Sequence, residues 1–501
     1  MNLGRMQATA RNGELSLSPG KNAALHHEQV CGFLPQKATE PSGGYRELRA
    51  AGANSLVVAL LAPLALLTSD SVQKFLLAVV VLDIPMECGT YLFYRPVEAS
   101  LGALKGLSIS ATTVALAGLY AAWFLSSLAK RSRRAHSSLS MSLPLVVFLA
   151  VTTFSVFIAQ DKALSLFDAY LLFEACLIYF YIANHVRTRQ DVLFLVSLLL
   201  GGCLLESVII IIIKFTVTAR STWDFPIHII AENLGDSSSM RIGGTIGVPN
   251  VAGAYLSVLL AAAASLFFTN LERMYKWLAA GVLVFGSVAL VFTFSRGAWI
   301  ALALALVLLF FAAWRRRGIS FKRPVMIFAA LALAYLPLHS VISARLFGDD
   351  KGSAQSRIPL NRLAFRMILD NPVLGVGANN FTVAMDRYAT SEFRREWLWA
   401  VHNRYLLILA ETGPAGLMAY LAFLFGTLRK GWHTWKLGDP LLSPLALGLV
   451  AGITGHMVHQ SVDLFRDRPL QQLLLLSAGL LTAMYRQGAH DQQGNAIPNI
   501  T

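Results

Sequence analysis

The chain has 501 residues and a formal net charge of +14; 55% of its residues are hydrophobic and only 14% are charged. Soluble globular domains are about 25% charged, so this composition excludes an ordinary soluble protein and indicates a membrane protein. The basic residues are scattered between apolar runs, which argues against nucleic-acid binding. The four cysteines have no paired spacing, so neither a disulfide framework nor a metal motif follows from them.

Both ends of the chain are predicted to be polar. Residues 1–50 are rich in Gly, Ser and Pro and lack the apolar stretch of a signal peptide, so we expect a disordered tail. A shorter polar tail is expected at residues 486–501. The membrane domain is therefore predicted to cover residues 51–485.

Apolar runs fill the predicted membrane domain. In chain order they lie at 56–67, 75–84, 108–128, 143–159, 168–185, 192–213, 251–268, 277–294, 298–313, 324–338, 404–425, 443–455 and 473–484. With their flanks, most of these runs are long enough to cross a bilayer. The sequence thus predicts an all-α, polytopic membrane protein with about 12 transmembrane helices.

Basic residues follow alternate spans and predict the orientation of the chain. They are Lys130, Arg131, Arg133, Arg134, Arg187, Arg189, Arg273, Lys276, Arg315, Arg316, Arg317, Lys322, Arg323, Arg429, Lys430 and Lys436. The positive-inside rule places them in the cytoplasm. The loops expected to face outward are then 214–249, 294–297, 340–402 and 456–470. If the N-terminal tail is also cytoplasmic, the runs 56–67 and 75–84 cannot both cross the membrane.

The long outward loop 340–402 contains a predicted amphipathic helix. Apolar residues recur there at helical spacing, at Leu360, Leu363, Ala364, Met367 and Ile368. Arg362 and Arg366 occupy another face, and Asn371-Pro372 is expected to end the helix. We expect the helix to lie on the outer membrane surface, where anchoring explains the two arginines better than substrate binding does.

Four outward-facing stretches are unusually polar or rich in glycine. They are RIGGTIGVPN (241–250), FSRGAW (294–299), SRIPLNRLAFRMILDNPVLGVGANNF (356–381) and VHNRYLLILAETGPAGL (401–417). Each adjoins the outer end of a predicted span, so we expect them to converge on one site. The side chains brought together would be Arg241, Arg296, Arg357 and His402. Arginine suits a diphosphate, because its permanently charged planar fork binds phosphate oxygens bidentately.

Together these motifs resemble those of the O-antigen ligase and O-antigen polymerase superfamily of bacterial envelope enzymes. The matching pieces are Arg241-x-x-Gly-Thr-x-Gly-x-Pro-Asn, Ser295-Arg296-Gly297, Asn371-Pro372-x-x-Gly-x-Gly, and His402-Asn403 leading to Glu411-x-Gly-x-x-Gly. The resemblance covers residues 140–485 and implies a glycosyltransferase with a helical fold of the GT-C type. Such enzymes move a glycan from undecaprenyl diphosphate to a sugar hydroxyl on the periplasmic face of the inner membrane, with inversion and without a metal or other cofactor.

The resemblance also implies roles for particular residues and partners. His402 takes the role of the base, and Arg241 and Arg357 take that of donor-diphosphate binding. The remaining candidate substrate-binding residues are Arg296, Asn250 and Asn403. The chemistry agrees, because a neutral imidazole can deprotonate a hydroxyl and guanidinium groups stabilise a leaving diphosphate. The implied partners are the lipid-linked donor, a glycan or lipid A–core acceptor, the bilayer and other polysaccharide export proteins.

Further polar residues lie in or beside the predicted spans, where ionisable groups are costly. They are Glu174, Glu206, Glu411, His456, His459 and Asp463. For Glu411, a bond to neighbouring backbone and a place in the site are equally consistent with the sequence. Structural roles explain Glu174 and Glu206 at least as well as functional ones. The two histidines and Asp463 are expected only to support the site from behind.

Two alternatives to a polymerase remain open. A carrier of lipid-linked glycans would place polar groups at mid-membrane between repeated halves, whereas here they lie towards one face and no repeat is visible. A ligase shares the motifs and differs in its acceptor. We favour polymerisation of exopolysaccharide or O-antigen repeat units, because the outward loops carry extra cations for a second lipid-linked glycan. These cations are Arg345, Lys351, Arg362, Arg366, Arg387, Arg394 and Arg395.

Overall fold

The structure, a computed structural model, describes residues 68–129, 139–216, 222–223, 229–232, 240–315, 336–347, 357–389 and 399–495. All of them belong to one compact unit, Ala62–Thr501. The predicted tail 1–50, the run 56–67 and most of the run 324–338 lie outside the described residues. So do the basic residues Lys130, Arg131, Arg133, Arg134, Arg316, Arg317, Lys322, Arg323, Lys351, Arg394 and Arg395.

Helices make up most of the described chain. In order they are α1 (Asp70–Met86), α2 (Pro96–Ser100), α3 (Ala111–Ala129), α4 (Leu143–Phe154), α5 (Lys162–His185), α6 (Arg189–Thr216), α7 (Pro249–Ser265), α8 (Arg273–Phe292), α9 (Arg296–Trp314), α10 (His339–Phe347), α11 (Arg357–Asp370), α12 (Phe381–Ala384), α13 (Arg404–Leu437), α14 (Leu442–His459) and α15 (Arg468–Asn495). Short 3₁₀ turns at Ser155–Phe157, Leu266–Phe268, Leu336–Leu338 and Met385–Arg387 extend or join them.

Eight of the described helices are long and apolar enough to cross a membrane: α3, α5, α6, α7, α8, α9, α13 and α14. Each overlaps one of the predicted apolar runs over most of its length, so the multi-pass membrane character is confirmed. The predicted runs 75–84, 143–159 and 473–484 fall in α1, α4 and α15, which are shorter or more polar. The count of about 12 spans and the GT-C fold stay predictions. Helix α15 continues to Asn495, so part of the predicted C-terminal tail is helical.

Two small antiparallel sheets depart from the predicted purely helical fold. The first is the hairpin β1 (Gly89–Leu92) and β2 (Leu107–Ser110), with Gly89 opposite Ser110. The second joins β3 (Thr222–Trp223), β4 (Ile229–Glu232) and β5 (Arg241–Gly244) in that order. Both sheets lie between helices. Hydrogen bonds between their strands satisfy backbone N–H and C=O groups that are not part of a helix. The strands could not be predicted from the sequence, because these loops have no sustained period-2 pattern.

Helix α7 is the centre of the bundle. Of its candidate span, 94% is buried inside the protein. Small residues on neighbouring helices let their backbones approach it closely. A Cβ at Gly452 of α14 would lie 2.7 Å from the carbonyl oxygen of Val258. A Cβ on Gly253 of α7 would lie 2.9 Å from the Cβ of Ala298 in α9. This close packing fixes the position of the α7 N-terminus, which carries Asn250.

Helix α13 is broken at Gly413-Pro414. Gly413 has a positive φ of 67°, and Pro414 has no N–H to donate to the carbonyl of Ala410. The motif 371–377 repairs the break, because the backbone N–H groups of residues 376 and 377 donate to the carbonyls of Ala410 and Glu411 at 3.0 and 2.9 Å. Two of the predicted motifs therefore pack directly on each other.

The predicted amphipathic helix is present as α11. It ends at Asp370, directly before Asn371-Pro372. Its buried residues are Leu360, Leu363, Ala364 and Met367, while Ile368 is half-buried. Arg362 and Arg366 are exposed, as the spacing predicts. The buried face packs in a second hydrophobic cluster together with the first turns of α13, so α11 covers that end of the bundle. Its place on a membrane surface stays a prediction.

The two ends of the bundle differ in composition. At one end, which we call the basic end, the α5–α6 turn meets the α13–α14 turn through an ion pair of 2.6 Å between Arg189 and Asp439. At the other end, which we call the site end, lie the hairpin, the α8–α9 turn, α11 and the N-terminus of α13. All four arginine, histidine and glycine motifs are at the site end.

Candidate functional site

Four arginines line one cavity of about 70 Å³ at the site end, which we call the arginine pocket. They are Arg241, Arg296, Arg345 and Arg357, and the other polar lining residues are Asn250, Ser295, His459 and Asp463. The structure brings together Arg241, Arg296 and Arg357, three of the four side chains that were predicted to converge. Arg345 was expected only as part of a cationic surface, and the structure places it in the pocket itself.

Arg241 is held by two acceptors. It is the first residue of β5, and its Nε donates to the carbonyl oxygen of Thr293 at 3.1 Å. Its Nη2 donates to Oδ1 of Asn250. Thr293 offers its carbonyl because α8 ends one residue earlier, at Phe292. The guanidinium is therefore oriented before any ligand arrives.

The glycines after Arg241 let the chain turn back tightly towards α7. Gly244 and Gly247 have φ values of 63° and 90°, which a residue with a Cβ rarely adopts. Buried Glu206 of α6 holds this turn, accepting hydrogen bonds from the backbone N–H and the hydroxyl of Thr245. Glu206, although it lies within the apolar helix α6, therefore has a hydrogen-bonding partner in the protein, Thr245.

Two helix N-termini adjoin the arginine pocket. Arg296 is the first residue of α9 and Arg357 the first residue of α11. The partial positive charge of a helix N-terminus adds to the guanidinium charge and favours an anion. Arg345, from α10, donates from Nε to the carbonyl oxygen of Phe294 at 3.2 Å. The pocket can therefore bind an anion with several oxygens, such as a diphosphate.

His402 lines a second, larger cavity of about 310 Å³, which we call the histidine cavity. This cavity shares Asn250 and Asp463 with the arginine pocket. His402 therefore lies next to the arginine pocket and does not line it. The Nδ1 atom of His402 is buried and has no hydrogen-bond partner among the described residues. The side chain as a whole is half-buried, so a ligand in this cavity can contact the imidazole.

Burial lowers the pKa of His402 below the usual histidine value, and the nearby charge of Arg357 lowers this pKa as well. Asp463 and the backbone of Ala400 raise it, without reversing the net shift. The imidazole is consequently neutral at neutral pH, which is the form that can accept a proton.

Asn250 and Asp463 connect the two cavities. Nδ2 of Asn250 donates to Oδ2 of Asp463 at 2.6 Å, and the other carboxylate oxygen accepts from the backbone N–H of Leu464 at 2.8 Å. Asp463 also accounts for part of the electrostatic environment of His402. Asp463 was expected only to support the site from behind, and its one signal in the sequence is an acidic residue between two apolar runs.

Asn403 has a different role from its neighbour. Its Oδ1 accepts hydrogen bonds from the backbone N–H groups of Tyr405 and Leu406 at 3.0 and 3.1 Å, so it caps the N-terminus of α13. It lines neither cavity. Asn403 therefore stabilises the start of the helix beside His402, and its contact with substrate stays a prediction.

Glu411 has hydrogen-bonding partners on two other segments of the chain. Its carboxylate is paired with the guanidinium of Arg466 and accepts from the backbone N–H of Phe381 at 3.2 Å. Arg466 also donates to Oδ1 of Asn379 at 2.6 Å, and it lines the histidine cavity. Through Arg466, these hydrogen bonds link α13 near its break to the wall of the histidine cavity. Glu174 likewise has partners within the bundle, Thr113 and Gln472.

The two histidines of α14 have different surroundings. His459 lines the arginine pocket and packs against Gly297, whose Cβ position its ring fills. His456 contacts Gln460 at 3.1 Å, and Gln460 in turn bonds the hydroxyl of Tyr420. Neither lines the histidine cavity. Across the described ranges, no group of three or more His, Cys, Asp or Glu is arranged to hold a metal ion.

Eight helices long and apolar enough to cross a membrane, and two adjoining polar cavities at one end of the bundle, define a multi-pass membrane protein with a cationic, anion-binding pocket. Residues 281–421 match the O-antigen ligase family model. This match confirms the resemblance to the O-antigen ligase and polymerase superfamily that was predicted from the sequence. The matched range includes Arg296, Arg357 and His402, whereas Arg241 and Asn250 precede it. A search of curated proteins finds no match.

Proposed function

We propose that the protein is an inner-membrane glycosyltransferase that moves a glycan from an undecaprenyl-diphosphate donor to a sugar hydroxyl on the periplasmic face. The family supports ligase or polymerase activity in envelope polysaccharide synthesis. The observation that carries the finer proposal is the junction of two cavities. An arginine pocket suited to a diphosphate meets a cavity that holds a neutral histidine, and both share Asn250 and Asp463.

The proposed reaction is a single displacement. His402 removes the proton of the acceptor hydroxyl as its oxygen bonds to the anomeric carbon of the donor sugar. The bond from that carbon to the diphosphate breaks on the opposite side, so the configuration inverts. Negative charge develops on the departing diphosphate, and the guanidinium groups of Arg241 and Arg357 stabilise it. In this mechanism the arginines supply the positive charge at the leaving group.

The composition of the two bundle ends supports a periplasmic site. Short loops at the basic end carry Arg187, Arg189 and Arg273, whereas both cavities are at the site end. Under the positive-inside rule the basic end faces the cytoplasm. The spatial clustering of the polar groups at the site end also disfavours the carrier alternative, which requires them near mid-membrane.

His402→Ala tests the proposed function. The purified full chain is given the lipid-linked donor from its own host, and glycan transfer is followed by gel and mass spectrometry. Loss of the base is expected to slow transfer by roughly 10²–10⁴-fold. The control is His433→Ala, an exposed histidine of α13 near the basic end. Near-normal transfer by a stably folded His402→Ala protein would remove this residue from the mechanism.

We favour polymerase over ligase, because a polymerase holds two lipid-linked glycans and needs cations beyond the donor site. Arg362, Arg366 and Arg387 offer them at the site end. A ligase could use the same charges on lipid A phosphates. A deletion strain separates the two. Loss of the polymer with single repeat units remaining indicates a polymerase, whereas full-length polymer accumulating on undecaprenyl diphosphate indicates a ligase.

A further inference from the structure

One wall of the histidine cavity comes from the β1–β2 hairpin and is not used in the mechanism above. The lining includes Glu87, just before the hairpin, Tyr91 of β1 and Lys105 of the β1–β2 connection, together with Asp467 of the α14–α15 loop and Arg468, the first residue of α15. The wall therefore alternates carboxylates and cations, unlike the arginine pocket, where cations dominate. A mixed lining of this kind suits a ligand that both donates and accepts hydrogen bonds, as sugar hydroxyls do.

An aromatic ring lies beside His402 on the same cavity. The indole of Trp399 is 6.4 Å from the imidazole, centroid to centroid, and it lines the cavity. Trp399 is 39% exposed, so part of the ring remains open. A flat apolar ring next to hydrogen-bonding groups is suited to stacking on the C–H face of a sugar ring.

The hairpin connection holds Trp399 in place. The backbone N–H of Ala400 donates to the carbonyl oxygen of Leu101 at 2.9 Å. A Cβ on Gly102, which has a φ of 95°, would lie 2.6 Å from Nε1 of the indole. The indole of Trp399 thus packs directly against the backbone of Gly102, where a side chain would displace it. Asn379 anchors the next part of this connection, accepting from the backbone N–H of Leu104 at 2.9 Å.

The charged groups of the wall are also positioned. Nζ of Lys105 lies 5.7 Å from the ring centroid of Tyr91, within cation–π range. Arg468 is paired with Asp83 at 2.8 Å and lies 4.0 Å from Glu87. Burial raises the pKa of Glu87 to about 7, against the opposing charges of Arg468 and Lys105. A carboxyl group of this kind can donate to a hydroxyl as well as accept from one.

We propose that this wall, with Trp399 as a stacking platform, is the binding site for the acceptor saccharide. The inference rests on the proposed function. In a single displacement the nucleophile approaches opposite the leaving diphosphate, so the acceptor belongs on the His402 side and not in the arginine pocket. The cavity of about 310 Å³ is within the range of small-molecule sites, roughly 300–1,000 Å³. It accommodates the sugar that presents its hydroxyl to His402.

The test is acceptor kinetics with the purified full chain. Two acceptors from the host are tried first: lipid A–core, and the lipid-free oligosaccharide that mild acid releases from the donor. The acceptor that the unaltered protein elongates is then used for the KM measurements. Trp399→Ala is expected to raise the acceptor KM roughly tenfold and to leave the donor KM within twofold. Trp399→Phe is expected to retain most of the acceptor affinity. The control is Trp432→Ala, an exposed tryptophan near the basic end.

A second variant and a binding measurement keep the outcome decisive. Lys105→Met, at an exposed position, is expected to raise the acceptor KM severalfold without unfolding the protein. Saturation-transfer NMR with the same oligosaccharide is expected to show its signal lost in Trp399→Ala and retained in Arg241→Lys. Unchanged acceptor KM in the Trp399 and Lys105 variants would overturn the subsite. Absence of any transfer by the unaltered chain would instead overturn the proposed function, and the NMR result alone would then decide whether the wall binds saccharide.

Discussion

His402 lies near one negative and one positive side chain, so removing either charge is expected to shift its pKa in a known direction. Transfer is expected to fall as the pH falls through this pKa, since only the neutral ring is a base. Asp463 raises the pKa and Arg357 lowers it. Asp463→Asn should therefore move the acidic limb of the kcat/KM profile to lower pH, and Arg357→Gln should move it to higher pH. Shifts in the same direction in both variants would contradict the assignment of His402 as the titrating base.

Arg241 differs from a generic cation because its guanidinium is held at two points, by Thr293 and Asn250. In Arg241→Lys the charge remains, but one ammonium group cannot keep both contacts and bind phosphate oxygens bidentately. We expect the donor KM to rise roughly 10- to 100-fold, the size of one or two lost hydrogen bonds to a charged group. Arg366→Lys on the exposed face of α11 is the control and should change the donor KM less than twofold.

At the scale of elements, the break in α13 is the feature on which two motifs depend. In Gly413→Ala the new Cβ would overlap the carbonyl oxygen of Val373, and the backbone would keep a positive φ. We expect destabilisation of about 2 kcal/mol or more, with loss of activity as the 371–377 segment shifts. Thermal unfolding in detergent measures the effect.

Gly426→Ala is the matched control within the same helix. Nothing lies within 4 Å of its added Cβ, and its backbone is helical. This substitution should leave stability unchanged or raise it by about 0.5–1 kcal/mol, since alanine favours the helix. Equal destabilisation by both substitutions would mean that the break has no special role.

At the scale of the whole molecule, the two bundle ends are expected to face opposite sides of the membrane. In a chain whose own cysteines are replaced, Asp370→Cys at the site end should react with an impermeant maleimide in intact cells. His433→Cys, near the basic end, should react only after lysis. Both positions are exposed. The reverse labelling pattern would place the site in the cytoplasm and exclude a periplasmic reaction.

The sequence by itself determined the spans and the chemistry of the motifs. Apolar runs and helical spacing are local properties, so α3, α5 to α9, α11, α13 and α14 could be predicted without knowing what they contact. The identity of Arg241, Arg357 and His402 as candidate residues likewise followed from short motifs. The small sheets were missed because strands of two to four residues carry too little local pattern.

Only the tertiary structure decided which of these residues share a cavity and what supports them. Asn250 and Asp463 are 213 residues apart, and Leu104 and Asn379 are 275 apart, yet each pair is joined by a hydrogen bond. Such pairings depend on how whole helices pack, which local pattern does not encode. For the same reason, packing placed Glu411 in a structural ion pair and separated His402 from the arginine pocket by a shared wall.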